Sequence, residues 1–380
     1  MGLVGTGFVG PHHVDAVRRL GCVDVVALAS SSDSRAEEAA RRLGVPKGYG
    51  DYRALLDDPD VHVVHVATPN HLHFAIASDA IGRGKHVISE KPLALNVAEA
   101  EALLRLAQRA GIVHAVMFNY RGNALVQEAR VRIGRGELGR PHFVHGQYLQ
   151  DWLLEDTDFS WRLDPARGGA SSALADIGSH WFDLAEHVSG LRIREVLGEM
   201  ATVVRRRRKP HGGRDAFETS SDDEPFEWVD MEVEDLASIL MRFGDGATGS
   251  LSIGQVCAGH KNDLVLEVSG ATGSLAWKQE HQNTLWIGHR HSPNETLQKD
   301  PSLMSAGTRG LARLPGGHQE GWADAFFNLM RDIYGFIAAD ERLSHDGPVI
   351  FPTFADGLRA MRIVDAVVAS AKAGGVWMAV

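Results

Sequence analysis

Apolar and polar residues follow two different rhythms along this chain, and the rhythm changes near residue 121. Before that point, short largely apolar runs (Gly2 to Val4, Val23 to Ala29, Val61 to Ala67) alternate with helical stretches. PHHVDAVRRLG is one such helix, closed by Gly21, and VAEAEALLRLAQRAG is another, ended by Gly111. Short runs dominated by consecutive apolar residues read as strands buried on both faces. Strands alternating with helices predict a parallel sheet with right-handed crossovers. HVISEKP and IVHAVMF extend that sheet. Later segments alternate residue by residue: VEDLASILMRF, ATGSLSIGQV, NDLVLEVSG, GSLAWKQ and NTLWIG, with Gly and Asp turns between them. They predict an antiparallel sheet with one face under helices and the other buried elsewhere.

The first strand runs into GLVGTGFVG, which sets Gly5, Gly7 and Gly10 in the spacing G-x-G-x-x-G, with Thr6, Phe8 and Val9 on the same loop. Standing between a strand and a helix, such glycines let the backbone approach a pyrophosphate at the helix N-terminus. The alternative is a plain tight turn, and the flanking strands favour the nucleotide. Residues 1–121 are therefore predicted as a dinucleotide-binding Rossmann domain and 122–380 as a second, α+β domain. The fold class is α/β.

The end of the second strand bears on the cofactor. An NAD site often has an Asp or Glu there for the ribose hydroxyl. Here it reads ASSSDSR: Ser30, Ser31, Ser32, then Arg35 one turn on, with Asp33 expected as the N-cap of the next helix. Small hydroxyls beside an arginine tolerate a 2′-phosphate without excluding NAD, so NAD or NADP is expected, with a lean to NADP. Ligands of parallel sheets gather at the carboxyl ends of the strands. That edge carries Thr68, Pro69 and Asn70, then Glu90, Lys91 and Pro92, then Asn119, Tyr120 and Arg121. Lys91 should face the cofactor crevice.

A net charge of −10 argues against a nucleic-acid-binding body. The basic run Arg205 to Lys209 is read as a solvated loop, since acids follow it within PHGGRDAFETSSDDEPFE. No apolar run reaches the ~18 residues a membrane span needs. Cys22 and Cys257 are the two cysteines, far apart, and a reducing cytoplasm is the simple reading.

Several of these segments resemble the Gfo/Idh/MocA family (glucose–fructose oxidoreductase and inositol dehydrogenase). The resemblance spans nearly the whole chain: GLVGTGFVG, VATPNHLHF, GKHVISEKPLA, FNYR, GGASSALADIGSHWFD, VEDLASILMRFGDGATGS and PGGHQEGWADAF. It implies an N-terminal Rossmann domain and a C-terminal domain with a large, mostly antiparallel sheet. It also implies NAD(P)-dependent oxidation or reduction of a secondary alcohol on a sugar or cyclitol. It further implies substrate binding and oligomerisation by residues 122–380, a cis Lys91–Pro92 bond, His73 near the nicotinamide, and a homodimer or homotetramer formed through the open sheet face.

If ADIGSHWFDLAEHVSG is helical, Asp176, His180, Asp183 and His187 share one stripe beside an apolar stripe of Ile177, Trp181, Leu184 and Val188. The polar stripe is then expected along a surface or cleft. In the family's pattern Asp176 and His180 are the catalytic pair, with His180 exchanging the proton. Histidine titrates near ~6.5, so it can accept an alcohol proton at neutral pH. The Lys91 ammonium suits the developing alkoxide. Asp176 can orient the imidazole or bind a substrate hydroxyl. Tyr120, Arg121, Gln150, Trp152, Trp161 and Arg162 offer the aromatic faces and donors that suit a polyol ring, and the resemblance adds His318. Glu90 is read either as a partner of the nicotinamide ribose or as a neighbour tuning Lys91.

No metal is expected. His71 and His73 form an H-x-H pair, and His12–His13 reads as ordinary helix surface. A closed metal site would need further ligands, and none is evident. Two competing functions share the scaffold: glycoside cleavage through transient oxidation by retained NAD, and dinucleotide sensing without catalysis. The presence of Lys91, His180 and the glycines weighs against the sensor.

Overall fold

A computed structural model describes residues 1–211, 225–340, 343 and 349–380. The chain divides into two compact units. One holds Met1–Asn119, Ala166–Gly169 and Phe326–Met361; the other holds Tyr120–Pro165, Ala170–Ala325 and Arg362–Val380.

The first unit is built on six parallel strands: β1 (Gly2–Val4), β2 (Ala27–Ala29), β3 (Lys47–Tyr49), β4 (Val63–Val66), β5 (His86–Ser89) and β6 (His114–Val116). Their order is β3-β2-β1-β4-β5-β6, the doubly wound arrangement. Helices α1 (Gly10–Arg18), α2 (Asp33–Leu43), α3 (Tyr52–Asp57), α4 (His73–Gly82) and α5 (Val97–Ala110) lie between successive strands. Most of β1, β2 and β4 to β6 is buried, in keeping with their largely apolar sequences. The expected second strand shortens to its last three residues. Ser32, not Asp33, caps α2, accepting from Arg35 N–H; Asp33 accepts instead from Gly50 N–H at 2.9 Å. A carboxylate with a backbone donor one loop away no longer needs to serve the helix end. His13 is not on the surface of α1 but fully buried, because its ring bonds His65 and Glu90.

Beyond Asn119 the chain runs through α6 (Ala124–Gly134), β7 (Pro141–Leu149), the one-turn α7 (Pro165–Gly168) and α8 (Ser179–Ser189). Strands β8 (Ile193–Ala201), β9 (Arg206–Pro210), β10 (Phe226–Asp230), β11 (Leu236–Phe243), β12 (Thr248–Gly254) and β13 (Asp263–Gly270) follow. Then come β14 (Gly273–Lys278), β15 (Thr284–His289), β16 (Glu295–Gln298), α9 (Trp322–Ala338), α10 (Phe354–Lys372) and β17 (Met378–Ala379). Nine strands form one sheet in the order β16-β15-β14-β13-β7-β12-β11-β8-β17, antiparallel except for the β7–β12 pair. Alternation along β11 buries Ala237, Ile239, Met241 and Phe243, and the core they join includes Trp181, Phe182 and Leu184 of α8. The first unit takes in residues 326–361, within the stretch 122–380: Phe354, Leu358 and Met361 of α10 pack with Val116 and Phe118.

The basic run is not a solvated loop. Arg206–Pro210 is strand β9, paired with β10, and Arg207 is fully buried. Its guanidinium donates to the carbonyls of Leu153, Glu155 and Asp158 and lies 3.7 Å from Asp235. Those acceptors supply what burial takes away. Residues 212–224 of the acidic stretch that follows lie outside the described residues.

His114 yields a prediction about acid stability. It is buried, its Nδ1 accepts from Phe354 N–H at 3.1 Å, and burial lowers its pKa to about 4 against the pull of Asp356. The unfolded chain takes up that proton near ~6.5. The contribution is therefore complete above that pH and is lost as pH falls toward 4. Over that window the slope is about 1.4 kcal/mol per pH unit for one proton. His114→Asn keeps an acceptor and removes the titration. Urea unfolding of the variant should fall less steeply between pH 6.5 and 4.5 by about that slope; parallel curves would refute the assignment.

Candidate active site

In the first unit the carboxyl ends of the strands form the edge that sequence pattern predicted. Gly5, with φ of 101°, follows β1, and a Cβ there would lie 2.4 Å from Ala67 O. A Cβ on Gly10 would meet Gly5 O at 2.5 Å, so helix and loop approach only because both residues are glycines. Gly10 N–H closes the turn on Gly7 O, Val9 is the N-cap of α1, and Phe8 stands exposed. Thr6 and Ser30 hydroxyls lie 3.2 Å apart, joining the glycine loop to the tip of β2. Arg35 donates to Ser31 Oγ at 3.3 Å from an exposed position.

The same edge holds two buried polar atoms with no hydrogen-bond partner among the described residues, Thr68 Oγ1 and Asn119 Nδ2. Such atoms are costly unless a ligand satisfies them. Together with the glycine cradle they fit a dinucleotide. Pro69 precedes a short helical turn, and Asn70 is engaged internally, donating to Gly168 O at 3.1 Å. His73 is fully buried between two backbone carbonyls, Thr68 O and Pro92 O, each at 2.8 Å. Each contact calls for an N–H, while burial lowers the ring's pKa and opposes holding both. Its visible work is to tie the Thr68 turn to the Lys91–Pro92 segment. That peptide bond is cis. Lys91 N–H donates to Glu90 Oε2 at 3.2 Å.

In the second unit one hydrogen-bonded cluster collects most of the expected substrate residues. The backbone of Leu174–Gly178 forms a π-helical turn, with Ser179 N–H bonded to Leu174 O, before α8 begins. The extra residue per turn takes Asp176 out of line with the α8 residues, so the expected straight stripe breaks. Asp176 instead accepts from Arg162 Nε at 3.3 Å and Gln255 Nε2 at 2.9 Å. Gln255 also reaches Gln150 Oε1, which accepts from Trp152 Nε1 at 2.9 Å. Gln150 Nε2 and Tyr148 OH both donate to Asn262 Oδ1, and Asn262 Nδ2 donates to Tyr120 OH. The Tyr120 ring meets His180 edge-on at 5.0 Å. Arg162 lies over the rings of Trp161 and Trp152, at 4.6 and 5.8 Å. Burial raises the pKa of Tyr120 and raises that of Tyr148 well above the usual range, so both remain neutral donors.

The other stripe residues are not on the open surface: His180 and Asp183 are buried and His187 is half-buried. Asp183 receives a two-pronged ion pair from Arg121, through Nε at 2.7 Å and through Nη2. Arg121 is thus engaged inside the unit. His187 Nε2 lies 3.0 Å from Gln127 Nε2, and burial, then Arg121 and Arg130, hold its pKa well below the usual value. His318 is exposed beside a cavity of about 480 Å³ lined also by Gln282, Lys299, Gln319 and Glu320.

Four residues of the cluster escaped sequence reasoning. Tyr148, near the end of β7, sits two residues before Gln150, which follows the strand, and that spacing was a usable signal. Gln255 and Asn262 follow β12 and precede β13, and no local pattern marks them. Glu234 is buried and accepts from Ser171 OH and the N–H groups of Ser172 and Leu174, holding the start of the π-turn. Among the described residues no three His, Cys, Asp or Glu side chains are grouped to hold a metal, and no helix is long and apolar enough to cross a membrane.

Residues 1–118 match the model of an oxidoreductase family with an NAD-binding Rossmann fold, and 126–276 match the GFO/IDH/MocA C-terminal domain. The chain is 33% identical to a levoglucosan dehydrogenase of Pseudarthrobacter phenanthrenivorans, over 98% of this chain and 95% of that one. It is 25% identical to the myo-inositol 2-dehydrogenase of Thermotoga maritima over 72% of this chain and 74% of the other. A structure of levoglucosan dehydrogenase with NADH and levoglucosan superposes with TM-score 0.87 at 31% identity, covering 100% of this chain and 98% of that one. An inositol dehydrogenase homologue from Azotobacter vinelandii, solved with NAD+, gives 0.86 at 29% identity, covering 100% and 96%.

Proposed function

Because this chain belongs to the Gfo/Idh/MocA family of NAD-binding oxidoreductases, we propose that it interconverts a secondary alcohol and a ketone on a sugar, sugar derivative or inositol. The observation that carries the reading is the 33% identity to levoglucosan dehydrogenase across nearly all of both chains. Bound NAD(P) supplies the hydride acceptor or donor at its nicotinamide. His180 takes the hydroxyl proton and returns it in the reverse direction. Lys91 stabilises the negative charge that develops on the same oxygen. Asp176, held by Arg162 and Gln255, orients the sugar through a hydroxyl. Tyr120, Gln150, Trp152, Trp161 and Arg162 form the polar and aromatic wall for the ring, and His318 is assigned to substrate from its loop. Arg121 keeps its place in the second unit's framework. Glycines 5, 7 and 10 with Thr6, Phe8 and Val9 cradle the pyrophosphate, and Thr68, Pro69, Asn70, His73, Glu90 and Asn119 complete the cofactor edge.

The test is a panel of levoglucosan, L-sorbose, myo-inositol, D-xylose and 1,5-anhydro-D-fructose with each oxidised or reduced cofactor, read by nicotinamide absorbance. Net cofactor turnover with one or more is expected. Release of an aglycone from a glycoside with no net cofactor change would instead mean transient oxidation.

The cofactor lean rests on the β2 tip, which has hydroxyls and Arg35 but no carboxylate free of other work. Arg35→Ala should raise KM for NADP about tenfold, the loss of one charge-assisted bond, and leave KM for NAD within about twofold. Equal effects on both would remove the preference for NADP.

Leu240 is 49% exposed and Trp286 36% exposed on the large sheet. Apolar side chains left exposed on a sheet face favour burial by a second copy. A homodimer or homotetramer through this face is the proposed assembly, and light scattering should give two or four times the protomer mass. A monomer mass would contradict it. The free thiols Cys22 and Cys257 suit a reducing compartment, and the cytoplasm is the proposed location.

A further inference from the structure

Beneath the Lys91 segment the first unit buries a row of four side chains, of which only Glu90 has a role in the reading above, at the cofactor edge. Tyr334 OH lies 2.9 Å from His65 Nε2, His65 Nδ1 lies 2.9 Å from His13 Nδ1, and His13 Nε2 lies 3.2 Å from Glu90 Oε1. His13 and His65 are fully buried, and Tyr334 and Glu90 nearly so. The row crosses four elements: α9, the central strand β4, α1 and the end of β5. Glu90 Oε2 at its far end accepts the main-chain N–H of Lys91.

The donors and acceptors fit in one direction when both rings are neutral and Glu90 is ionised. Glu90 then only accepts, so His13 must carry its proton on Nε2. His13 Nδ1 is left as an acceptor, so His65 must carry its proton on Nδ1. His65 Nε2 then accepts from the Tyr334 hydroxyl. Every bond is made, with a single charge in the row. Burial, first, and the neighbouring His13 hold the His65 pKa well below the usual value, in keeping with a neutral ring. Reversing His13 would set its Nε2 lone pair against the carboxylate. The hydroxyl of Tyr334 has no further partner among the described residues, and burial raises its pKa well above the usual range. The row therefore ends in the core, which suits an anchor and not a proton conduit.

We propose that Tyr334, His65 and His13 are positioning residues that fix Glu90 as an oriented, anionic acceptor and through it hold the main chain of Lys91 in place for hydride transfer. The kinetic part of this proposal rests on the dehydrogenase reading above; the tautomer part does not.

Two measurements test it. The first uses the intact protein labelled with 15N-histidine, without substrate, with peaks assigned by loss in His13→Gln and His65→Gln. At neutral pH, His13 should be the Nε2–H tautomer and His65 the Nδ1–H tautomer, and Glu90→Gln, whose amide can turn its NH2 to His13 while its oxygen keeps the Lys91 N–H, should shift both rings toward the opposite tautomers. Protonation of His13 on Nδ1, or tautomers unmoved by Glu90→Gln, would overturn the proposal. The second uses the substrate found by the panel. His13→Leu should lower kcat about tenfold to a hundredfold with the Kd for NADH within about twofold, as expected of a small displacement near the reacting atoms. His13→Gln, whose amide can accept from His65 and donate to Glu90, should restore most of the loss. An unchanged kcat in His13→Leu, or a His13→Gln no better than His13→Leu, would also overturn it. A panel with no substrate defeats the dehydrogenase reading and leaves the tautomer result standing on its own.

Discussion

His180→Ala and Lys91→Met are each expected to lower kcat by a factor of about 10² to 10⁴ while NADH still binds. The histidine is the exchangeable-proton group of the reading. It is buried, with its ring against Tyr120 at 5.0 Å, so bulk water is a poor substitute for it. Alanine leaves the alcohol proton without a positioned acceptor. Methionine at 91 keeps the aliphatic stem and removes only the ammonium. What is lost is stabilisation of charge that appears at the transition state, so kcat should fall more than substrate KM rises. If both groups serve one oxygen, as proposed, the double variant should cost much less than the product of the two effects. Single-turnover cofactor absorbance measures the hydride step directly. Near-normal turnover in either variant would remove that residue from the mechanism.

The second large effect is on stability. Asp183→Ala should destabilise the protein by about 3–5 kcal/mol, because the Arg121 guanidinium would stay buried without its counter-charge. The pair is made through two nitrogens and two oxygens, with both side chains at most a tenth exposed. Replacing both partners with apolar residues, as in Arg121→Met with Asp183→Leu, should recover much of the loss. Equilibrium urea unfolding gives the comparison. The folded fraction of Asp183→Ala should keep most of its kcat if the pair is framework. Unchanged stability with kcat abolished would instead return Arg121 to the substrate.

Much of the fold is legible in local pattern. A strand buried on both faces leaves a largely apolar run, and a half-buried strand leaves alternation; β1 and β4 carry the first mark and β11 the second. Gly5 and Gly10 are legible for a related reason, since backbone contacts at 2.4 and 2.5 Å admit no side chain. The cofactor edge follows from parallel topology, and the residues expected there do lie at strand ends. These are short-range constraints, satisfied within a few neighbours, so they are written in adjacent residues.

Other features depend on partners far along the chain. Gln255 and Asn262 join Gln150 because β12 and β13 both pair with β7, bringing Gly254 and Asp263 beside Leu149. Strand register, not local composition, brings them together. His13 looked like helix surface because its partners lie 52 and 77 residues away, at His65 and Glu90. Arg207 looked solvated for the same reason, its acceptors being about fifty residues back. A polar residue is placed by whatever satisfies it, and a buried one takes its partner wherever the fold brings one. Periodicity therefore fixes which segments are strands and helices and which backbone positions must be glycine. Tertiary packing alone decides which charged and polar side chains face a ligand and which, like Asp183 and His13, are spent inside the protein.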